Sequence, residues 1–459
     1  MSKKILFVCF VLLSAIALTA CGGDDDLTSN VTPQNPTEDN NTSGGGQNGD
    51  NNGQNDDNNG QDNDNNPSGD FRVINLSEAQ KNAVDKNNDF AFNFFRQISE
   101  VNGLEGHSFI CSPLSATYAL GMLNTGGQGK TSEEITAMLG FTDGSKQDVN
   151  DLCKLLIEQA PQVDQKATLK LADCVVTRQD VTLADTYQKE IKDYYQGELF
   201  SKDFSLPSTL SSINDWCSKH TEGMIPKIID NLDPNSKLVL MNAIYFKAPW
   251  SGKFDEKETR SEEFTKEDGG KLNLAMMHRE GAAFYQTNSL YATLGLPYGN
   301  GTNWVMYVLL PNEGHTVSEV AKSLTNSSWN QNRPVVSQYG PDVDVKLPKF
   351  KIESDISLNG ILSSMGAATM FNPSLADFTP MTVGGTPLWV SMVRQKAAIE
   401  VAEEGTEASA VTIVGLETAD IGGTDTTEIP KFYATRPFIY IIQEASSKAV
   451  FFIGAYFGE

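Results

Sequence analysis

Metal-binding and basic residues are scarce in this sequence. It has four histidines and six cysteines, and its 35 lysines and arginines are outnumbered by 59 aspartates and glutamates, giving a net charge of −24. Neither an HExxH zinc motif nor a GxSxG nucleophile motif occurs in it. The acidic balance also lacks the basic footprint of a nucleic-acid-binding protein. These absences argue against a hydrolase, and we expect no metal, no cofactor and no nucleic acid partner.

Long apolar segments are also missing, apart from residues 5–18 near the amino terminus. This run follows Lys3 and Lys4 and is shorter than the about 20 residues that a membrane span needs, so it is typical of a signal peptide. The run is followed by LTAC at residues 18–21, which resembles a bacterial lipobox. We therefore interpret residues 1–20 as a lipoprotein signal peptide and Cys21 as the lipidation site that anchors the chain to a membrane. The alternative is a plain secretory signal with an incidental cysteine.

Residues 22–70 contain almost no apolar residue and no lysine or arginine. Such a composition cannot bury enough surface to offset the entropy of ordering the backbone, so we predict that residues 21–70 are a lipidated cysteine and a disordered linker. Asp24, Asp25 and Asp26 resemble a surface-export signal of lipoproteins in the Bacteroidota, although they also suit the start of an acidic linker. We expect a cell-envelope lipoprotein in the outer membrane, exposed at the surface if these aspartates act as that signal.

Residues 71–459 are predicted to form one domain in which helices and strands mix without regular alternation. Apolar spacing predicts a helix over residues 85–102, and the more apolar residues 112–123 predict a buried helix. Residues 124–131 (NTGGQGKT) imitate a phosphate-binding loop but lack its first glycine and follow a helix, so we expect a turn and a helix beginning at Thr131. The mixture indicates an α+β class. Strands are predicted at residues 169–176, 238–246, 304–310 and 449–457.

The most informative segment is residues 400–418 (EVAEEGTEASAVTIVGLET). After an acidic turn around Gly405 it alternates with period two, and one of its faces is small or apolar throughout. Residues 419–428 after it are typical of an exposed loop. A segment that suits both a surface loop and a central strand indicates a conformational switch, whereas the simpler interpretation is an ordinary strand or linker. The small or apolar face consists of Thr406, Ala408, Ala410, Thr412, Val414, Leu416 and Thr418.

Five motifs after residue 70 follow the order of one protein family. They are residues 112–123 (SPLSATYALGML), 242–254 (NAIYFKAPWSGKF), 347–354 (LPKFKIES), 365–379 (MGAATMFNPSLADFT) and 436–457 (RPFIYIIQEASSKAVFFIGAYF). Through them the chain resembles the serpin superfamily over almost all of residues 71–459. The resemblance implies a serpin fold with three β-sheets, eight or nine helices and an exposed reactive-centre loop. It also implies a main five-stranded sheet that can accept a sixth strand.

The resemblance implies a suicide-substrate inhibitor of serine endopeptidases rather than an enzyme. A protease attacks the exposed loop and forms an acyl-enzyme, and the loop then inserts into the main sheet before hydrolysis is complete. The expected partner is a target serine protease in a covalent acyl complex, a cysteine protease also remaining open, and the inhibitor is expected to be a monomer. The alternative is a non-inhibitory serpin that carries a ligand or is merely cleaved.

The resemblance assigns a hinge to the start of the alternating segment. Gly405 can supply the bend, and the inward positions after it are small. Glu403 matches an acidic residue at the base of the loop, and Lys349 matches its partner on a neighbouring strand. The hinge residues matched in this way are Glu403, Glu404, Gly405, Thr406, Glu407, Ala408, Ser409, Ala410, Val411 and Thr412.

A second set of residues matches the place where the family's main sheet opens. Ser112, Ser115 and Asn242 match a polar cluster that holds the sheet closed, and Trp250 marks the point where the loop enters. Gln395 stands where many members have histidine. Because an amide does not titrate, we do not expect a pH-sensitive latch at that position.

The scissile bond is expected between Ala419 and Asp420, by the family's usual spacing from Glu403. The loop is longer than is common, so other positions stay open. Residues 405–430 contain no lysine or arginine, which makes trypsin-like proteases poor targets, and we predict an elastase-like or subtilisin-like target. The alternative cleavage positions are Leu416, Glu417 and Thr418.

The four cysteines of the folded region each stand beside apolar residues, which favours buried thiols that pack as small hydrophobes. Their spacing does not require disulfides, and disulfides stay open for an exported protein. These cysteines are Cys111, Cys153, Cys174 and Cys217.

Residues 147–164 correspond to the region where some serpins bind a heparin-type polyanion through a basic helix. Here the region has four acidic residues against Lys154 alone. We therefore expect no activation by such a polyanion.

Overall fold

The computed structural model describes residues 72–101, 106–142, 144–336, 340–406 and 428–458. The predictions for the signal peptide, for Cys21 and for the linker of residues 21–70 lie outside the described residues. The same is true of hinge residues 407–412 and of candidate scissile residues 416–420. Within the described ranges, each helix is too short or too polar to cross a lipid bilayer.

Nine α-helices lie in the described ranges, within the expected eight or nine. The helix predicted from residue 85 begins earlier, because the Ser77 hydroxyl and the Gln80 side chain cap each other's backbone N–H groups. The helix predicted from Thr131 begins at Gly129, so that prediction is wrong: Thr131 is buried and accepts a hydrogen bond from the N–H of Asp377 at 2.9 Å. The helices are α1 (Glu78–Ser99), α2 (Pro113–Gly126), α3 (Gly129–Met138), α4 (Lys146–Gln159), α5 (Asp185–Tyr195), α6 (Pro207–His220), α7 (Val317–Ser323), α8 (Asn326–Asn332) and α9 (Asn359–Ser364).

Sixteen strands in the same ranges include all four that the apolar runs predict, here β2, β4, β9 and β16. Their bounds are β1 (Phe109–Cys111), β2 (Thr168–Arg178), β3 (Glu198–Lys202), β4 (Leu238–Pro249), β5 (Arg260–Thr265), β6 (Lys271–Ala282), β7 (Phe284–Thr287), β8 (Tyr291–Tyr298), β9 (Trp304–Pro311), β10 (Asp342–Pro348), β11 (Phe350–Ser357), β12 (Val390–Ala402), β13 (Gly405–Thr406), β14 (Lys431–Tyr433), β15 (Phe438–Glu444) and β16 (Val450–Tyr456).

The strands form three sheets, as the resemblance implies, and the mixture of helices and sheets confirms the α+β class. The main sheet has the order β11-β12-β13-β4-β2-β3, a second sheet has the order β1-β16-β15-β9-β8-β7, and a third has the order β14-β10-β6-β5. The main sheet differs from the expectation of five strands. Five strands have between five and 13 residues, and the two-residue β13 already forms a sixth at one end.

Apolar residues on the two faces of the main sheet belong to two separate cores. Along β4, Leu238, Leu240 and Ile244 join the large core shared with α2 and the second sheet, while Val239 and Met241 join a smaller core under α6. This alternation is the period-two pattern of a strand that is buried on both faces. Helix α2 is buried along its whole length because it lies inside the large core.

The four cysteines of the folded region are buried free thiols, which confirms the packing prediction. Two of them, Cys174 and Cys217, lie in the smaller core. Burial raises the pKa of all four thiols above its usual value. They therefore act as apolar packing groups in the fold.

Candidate functional site

The centre of the main sheet contains a junction between β4 and β12, which we call the seam. The two strands pair in parallel from Val390 opposite Leu238 to Ala397 opposite Ile244. Beyond Ala397 they separate, and β13 lies between them, antiparallel to both. The seam is therefore closed along most of its length and already occupied at one end.

Strand β13 fits into the seam through a glycine and a small polar residue. A Cβ atom on Gly405, whose φ is 153°, would lie 2.2 Å from the carbonyl oxygen of Ala248, so only glycine allows this close approach. The next residue, Thr406, is 1% exposed, and its hydroxyl lies 2.6 Å from the hydroxyl of Tyr298. The inward position of Thr406 agrees with the predicted small face of the segment.

Trp250 closes the occupied end of the seam. Its indole stacks on Tyr298 with ring centroids 4.3 Å apart and an interplanar angle of 12°. The indole N–H donates to the carbonyl of Ala402 at 2.8 Å, and the backbone N–H donates to the carbonyl of Glu404 at 2.9 Å. Trp250, which directly follows β4, therefore contacts both the end of β12 and the turn into β13.

Glu403 and Glu404 of that turn are both paired. Lys349 Nζ lies 2.7 Å from Glu403 Oε2, and the Thr259 hydroxyl donates to Glu403 Oε1 at 2.7 Å. Burial alone would raise the pKa of Glu403, but the hydrogen bonds from Lys349 and Thr259 hold it below its usual value. The carboxylate of Glu404 pairs with Lys253. The resemblance implied the first ion pair, and the structure contains it.

A polar cluster lies at the closed part of the seam, where β12 and β4 meet the start of α2. Gln395 accepts from the N–H of Ser112 at 3.0 Å and donates to the carbonyl of Ser112 at 2.8 Å. Gln395 also donates across the seam to Asn242 Oδ1 at 3.1 Å, and Asn242 donates to the carbonyl of Ser115 at 3.0 Å. Two amide side chains thus tie both seam strands to one helix terminus.

The cluster extends to Asp173, which lies opposite Asn242 on β2 and accepts a hydrogen bond from the Asn242 amide. Asp173 is 6% exposed and forms no ion pair with any described residue. Burial raises its pKa to about 7. In the described part of the chain, the hydroxyls of Ser115 and Tyr118 have no hydrogen-bond partner. The cluster therefore contains a buried carboxyl group without an ion-pair partner among the described residues, next to two hydroxyls without a hydrogen-bond partner.

The structure groups the described site residues at two places along one seam. Ser112, Ser115, Asn242 and Gln395 meet at its closed part. Trp250 and Lys349 meet the hinge residues Glu403–Thr406 at its occupied end. The roles of these residues in sheet opening stay predictions.

The sequence interpretation missed several residues at these places, among them Asp173, Tyr298 and Lys253. Asp173 had a detectable signal, since it is the single acidic residue in the otherwise largely apolar stretch of residues 169–176. Tyr298 and Lys253 gave none, because their partners Thr406 and Glu404 are distant in sequence.

The arrangement suits the acceptance of a strand rather than catalysis. Among the described residues, no group of three or more His, Cys, Asp or Glu side chains could hold a metal ion. The site instead has two parallel strands that separate at one end and unsatisfied polar groups beneath their junction.

Comparison with known families gives a match over most of the chain. A family model described as "Serpin (serine protease inhibitor)" matches residues 85–458. The chain is 31% identical over 381 residues to the leukocyte elastase inhibitor of Xenopus laevis, covering 80% of this chain and 97% of that protein. It is 30% identical over 404 residues to human Serpin B3, covering 83% and 99%.

Solved structures give the same result at the level of the fold. The native state of the thermophilic serpin tengpin superposes with a TM-score of 0.74 at 28% identity, covering 84% of this chain and 96% of tengpin. Thyroxine-binding globulin in complex with thyroxine superposes with a TM-score of 0.72 at 27% identity, covering 82% and 99%. The similar proteins thus include an elastase inhibitor and a thyroxine-binding protein.

Proposed function

The chain belongs to the serpin family, and from this premise we propose that it is a suicide-substrate inhibitor of serine endopeptidases. A protease would cleave the loop after β13, and the freed segment would insert into the seam before the acyl-enzyme is hydrolysed. The observation that carries the proposal is β13, which already occupies the position of the inserted strand over two residues.

The register of β13 predicts where the inserted strand would lie. Thr406 is opposite Val401 on β12 and Ala248 on β4. Six residues further in the same register, Thr412 would stand opposite both Gln395 and Asn242, which face each other across the closed seam. The side chain of Thr412 would then point into the polar cluster, where its hydroxyl could replace the hydrogen bond that insertion breaks.

The exchange of hydrogen bonds favours insertion. A strand continued from Thr406 to Leu416 would form about 20 backbone hydrogen bonds with its two neighbours and would displace about seven between β4 and β12, each worth about 1 kcal/mol net. The entropy of ordering the segment opposes this gain. Burial of the small and apolar inward face, which includes Ala408, Ala410 and Val414, therefore has to contribute.

The same register supports a cleavage position near the end of the segment. Leu416 would reach the irregularity between Val390 and Met392, close to Leu238, where the parallel pairing of the seam begins. Cleavage at Ala419–Asp420 or after residues 416–418 would free enough chain to fill the seam, whereas earlier cleavage would leave it partly open. The small or apolar residues there suit elastase-like or subtilisin-like proteases, and cysteine proteases remain an alternative.

The second candidate is a non-inhibitory serpin that carries a ligand. It is favoured by the similarity to thyroxine-binding globulin, whose structure was solved with thyroxine. The small residues of the hinge favour inhibition instead, because they can be buried on insertion without steric conflict.

A protease panel tests the proposal on the full-length protein. Incubation with elastase, subtilisin and papain should give an SDS-stable complex with at least one serine protease, and cleaved protein should melt at a higher temperature than intact protein. Mass spectrometry of the released carboxy-terminal peptide should give Asp420 as its first residue. Cleavage without a complex or a stability gain would favour the non-inhibitory alternative.

We also propose that the inhibitor acts at the cell envelope as a lipoprotein. The proposal is supported by LTAC at residues 18–21 after a short apolar run. A Cys21→Ala variant should move from the membrane fraction to the soluble fraction, while a Cys9→Ala variant should not. Equal membrane association of the Cys21→Ala variant and the unaltered protein would contradict lipid anchoring.

A further inference from the structure

Helix α6 crosses the outer face of the main sheet on mostly small side chains. Its buried residues are Thr209, Ile213 and Cys217, of which only Ile213 is bulky. A cavity of about 380 Å³ remains between the helix and strands β2, β3 and β4. This volume lies in the range of about 300–1,000 Å³ that is usual for small-molecule sites.

The floor and walls of the cavity are apolar and aromatic. Cys174 and Met241 of the sheet form the floor, and Phe200 and Trp216 stand edge to face with ring centroids 6.4 Å apart. Glu198 also lines the cavity, but its Oε1 atom already accepts from the Trp216 indole and lies 2.9 Å from His220 Nε2. The interior therefore suits a flat apolar group and offers little to a cation.

The charged side chains that line the cavity are two lysines and two carboxylates, and the lysines stand apart from the carboxylates. Lys202 and Lys219 line the cavity, and neither forms an ion pair with a carboxylate of the described residues. Lys202 Nζ lies 5.7 Å above the Phe200 ring. Asp215 is the one rim carboxylate outside the Glu198 pairing. Two ammonium groups beside an aromatic cavity complement a molecule with an anionic end and an apolar body.

We propose that this cavity is a binding site for a small amphiphilic carboxylate with an aromatic body. The ring would pack beside the Phe200–Trp216 pair above Cys174 and Met241, and the carboxylate would meet Lys202 and Lys219. Lys202 is half-buried beside the Phe200 ring, which would strengthen its contact with the carboxylate, whereas the exposed Lys219 would contribute less.

Occupancy of the cavity would oppose opening of the seam. The segment after α6 crosses from β4 to β12, because Ile225 and Ile228 pack in one core with Met241 of β4 and Ala398 of β12. Lys396 Nζ on β12 also donates to the carbonyl of Lys227 at 2.7 Å. A ligand that fixes α6 on the sheet would also keep the segment after α6 in contact with both β4 and β12, and would so hinder their separation. This consequence rests on the proposed function.

The site itself can be tested without a protease, with 2-naphthoate as the probe. Titration of the full-length protein should give saturable one-to-one binding by calorimetry and quench the fluorescence of Trp216, a change that a Trp216→Phe variant should lose. A Lys202→Glu/Lys219→Glu variant should bind at least about tenfold more weakly, and uncharged 2-naphthalenemethanol should bind more weakly than naphthoate. A Lys322→Glu variant, altered on the distant α7, is the matched control.

The proposed site would be refuted if 2-naphthoate did not bind, or if its affinity were equal for the double variant and the control. The regulatory consequence is tested separately, by the rate at which the complex forms with a serine protease that the inhibitor traps. Saturating naphthoate should slow that rate several-fold in the unaltered protein and leave it unchanged in the double variant. An unchanged rate with binding intact would overturn the regulation, and a protein that traps no protease would refute the proposed function while the binding result stands.

Discussion

The occupied end and the closed part of the seam differ in how strands β4 and β12 are held. At one end, β13 separates β4 from β12, and Trp250 and the Glu403–Lys349 pair hold it there. In the middle, β4 and β12 pair directly, and Gln395 and Asn242 tie them together above α2. The sheet therefore accepts a strand where aromatic and ionic contacts secure it, and stays closed where side-chain amides connect the seam strands.

The difference shows what keeps the seam closed beyond the backbone pairing of its strands. The amides of the polar cluster satisfy backbone groups of α2, so separating the strands exposes buried donors and acceptors. At the occupied end the corresponding positions are filled by β13 itself. Four substitutions can break or sharpen this contrast.

The largest effect is expected from Thr406→Arg at the occupied end. The guanidinium would replace a hydroxyl that is 1% exposed and bonded to Tyr298, and an unpaired buried charge costs several kcal/mol. We expect formation of the SDS-stable complex to fall at least about a hundredfold while cleavage continues, as measured by the stoichiometry of inhibition. Glu407→Arg, on the opposite face of the alternating sequence, is the matched control. Unchanged trapping by Thr406→Arg would contradict the insertion mechanism.

The next largest effect concerns Asp173→Asn in the closed part. The folded-state pKa of Asp173 is about 7, above the unfolded value of 3.8, so the fold favours its neutral form. Its contribution to stability is therefore full below about pH 4 and is lost as the pH rises through 7. We expect Asp173→Asn to raise the free energy of unfolding by roughly 2–4 kcal/mol at pH 8 and by little at pH 4.

Urea unfolding at the two pH values measures this difference. Asp180→Asn is a suitable control, because paired Asp180 has a pKa below its usual value and should lose stability at neutral pH instead. A stability difference for Asp173→Asn that does not change with pH would contradict the assignment.

A smaller loss is expected from Gln395→Leu. The leucine fills a similar volume but leaves the buried N–H and carbonyl of Ser112 without the amide that pairs them. We expect a loss of about 2 kcal/mol in the free energy of unfolding, measured in urea at pH 7. Lys351→Leu on the exposed face of neighbouring β11 is the control. An equal effect in both variants would remove the special role of the polar cluster.

The smallest effect is expected from Glu403→Gln at the occupied end. The folded-state pKa of Glu403 lies below the unfolded value of 4.5, so its ion pair contributes above that value and is lost as the pH falls through the folded pKa. Lys349 is partly exposed, which limits the expected loss to about 0.5–1 kcal/mol at pH 7, with less at pH 4. Thermal melts at pH 7 and pH 4 measure this loss, and Glu400→Gln, whose carboxylate lies 4.0 Å from Lys351, should have a still smaller effect in them.

Many helices and strands are predictable from the sequence because they depend on the spacing of apolar residues close together in the chain. Apolar runs gave β2, β4, β9 and β16, and an unbroken apolar stretch gave buried α2. The helix start at Thr131 failed, because the hydroxyl of that residue serves a distant backbone group, Asp377, instead of capping its own helix.

The site is less predictable, because its residues meet across long sequence distances. The resemblance supplied Ser112, Asn242, Gln395 and Trp250, but β13 depends on Gly405 fitting against Ala248, a steric match that no local pattern encodes. In the sequence, Asp173 differs from its neighbours only by its charge. Its burial and its hydrogen bond from Asn242, which place it in the polar cluster, are visible only in the structure.

The close fit of Gly405 against Ala248 also bears on the kinetics of any zipper-like extension. The slow step in pairing a new strand is formation of its first inter-strand hydrogen bonds. The chain has to adopt the correct register before these bonds can stabilise it. Here β13 already pairs with β12 and β4 in the intact chain. After cleavage the inserted strand would only have to extend from β13 in a register that is already fixed. Insertion would therefore compete with hydrolysis of the acyl-enzyme without a preceding slow step.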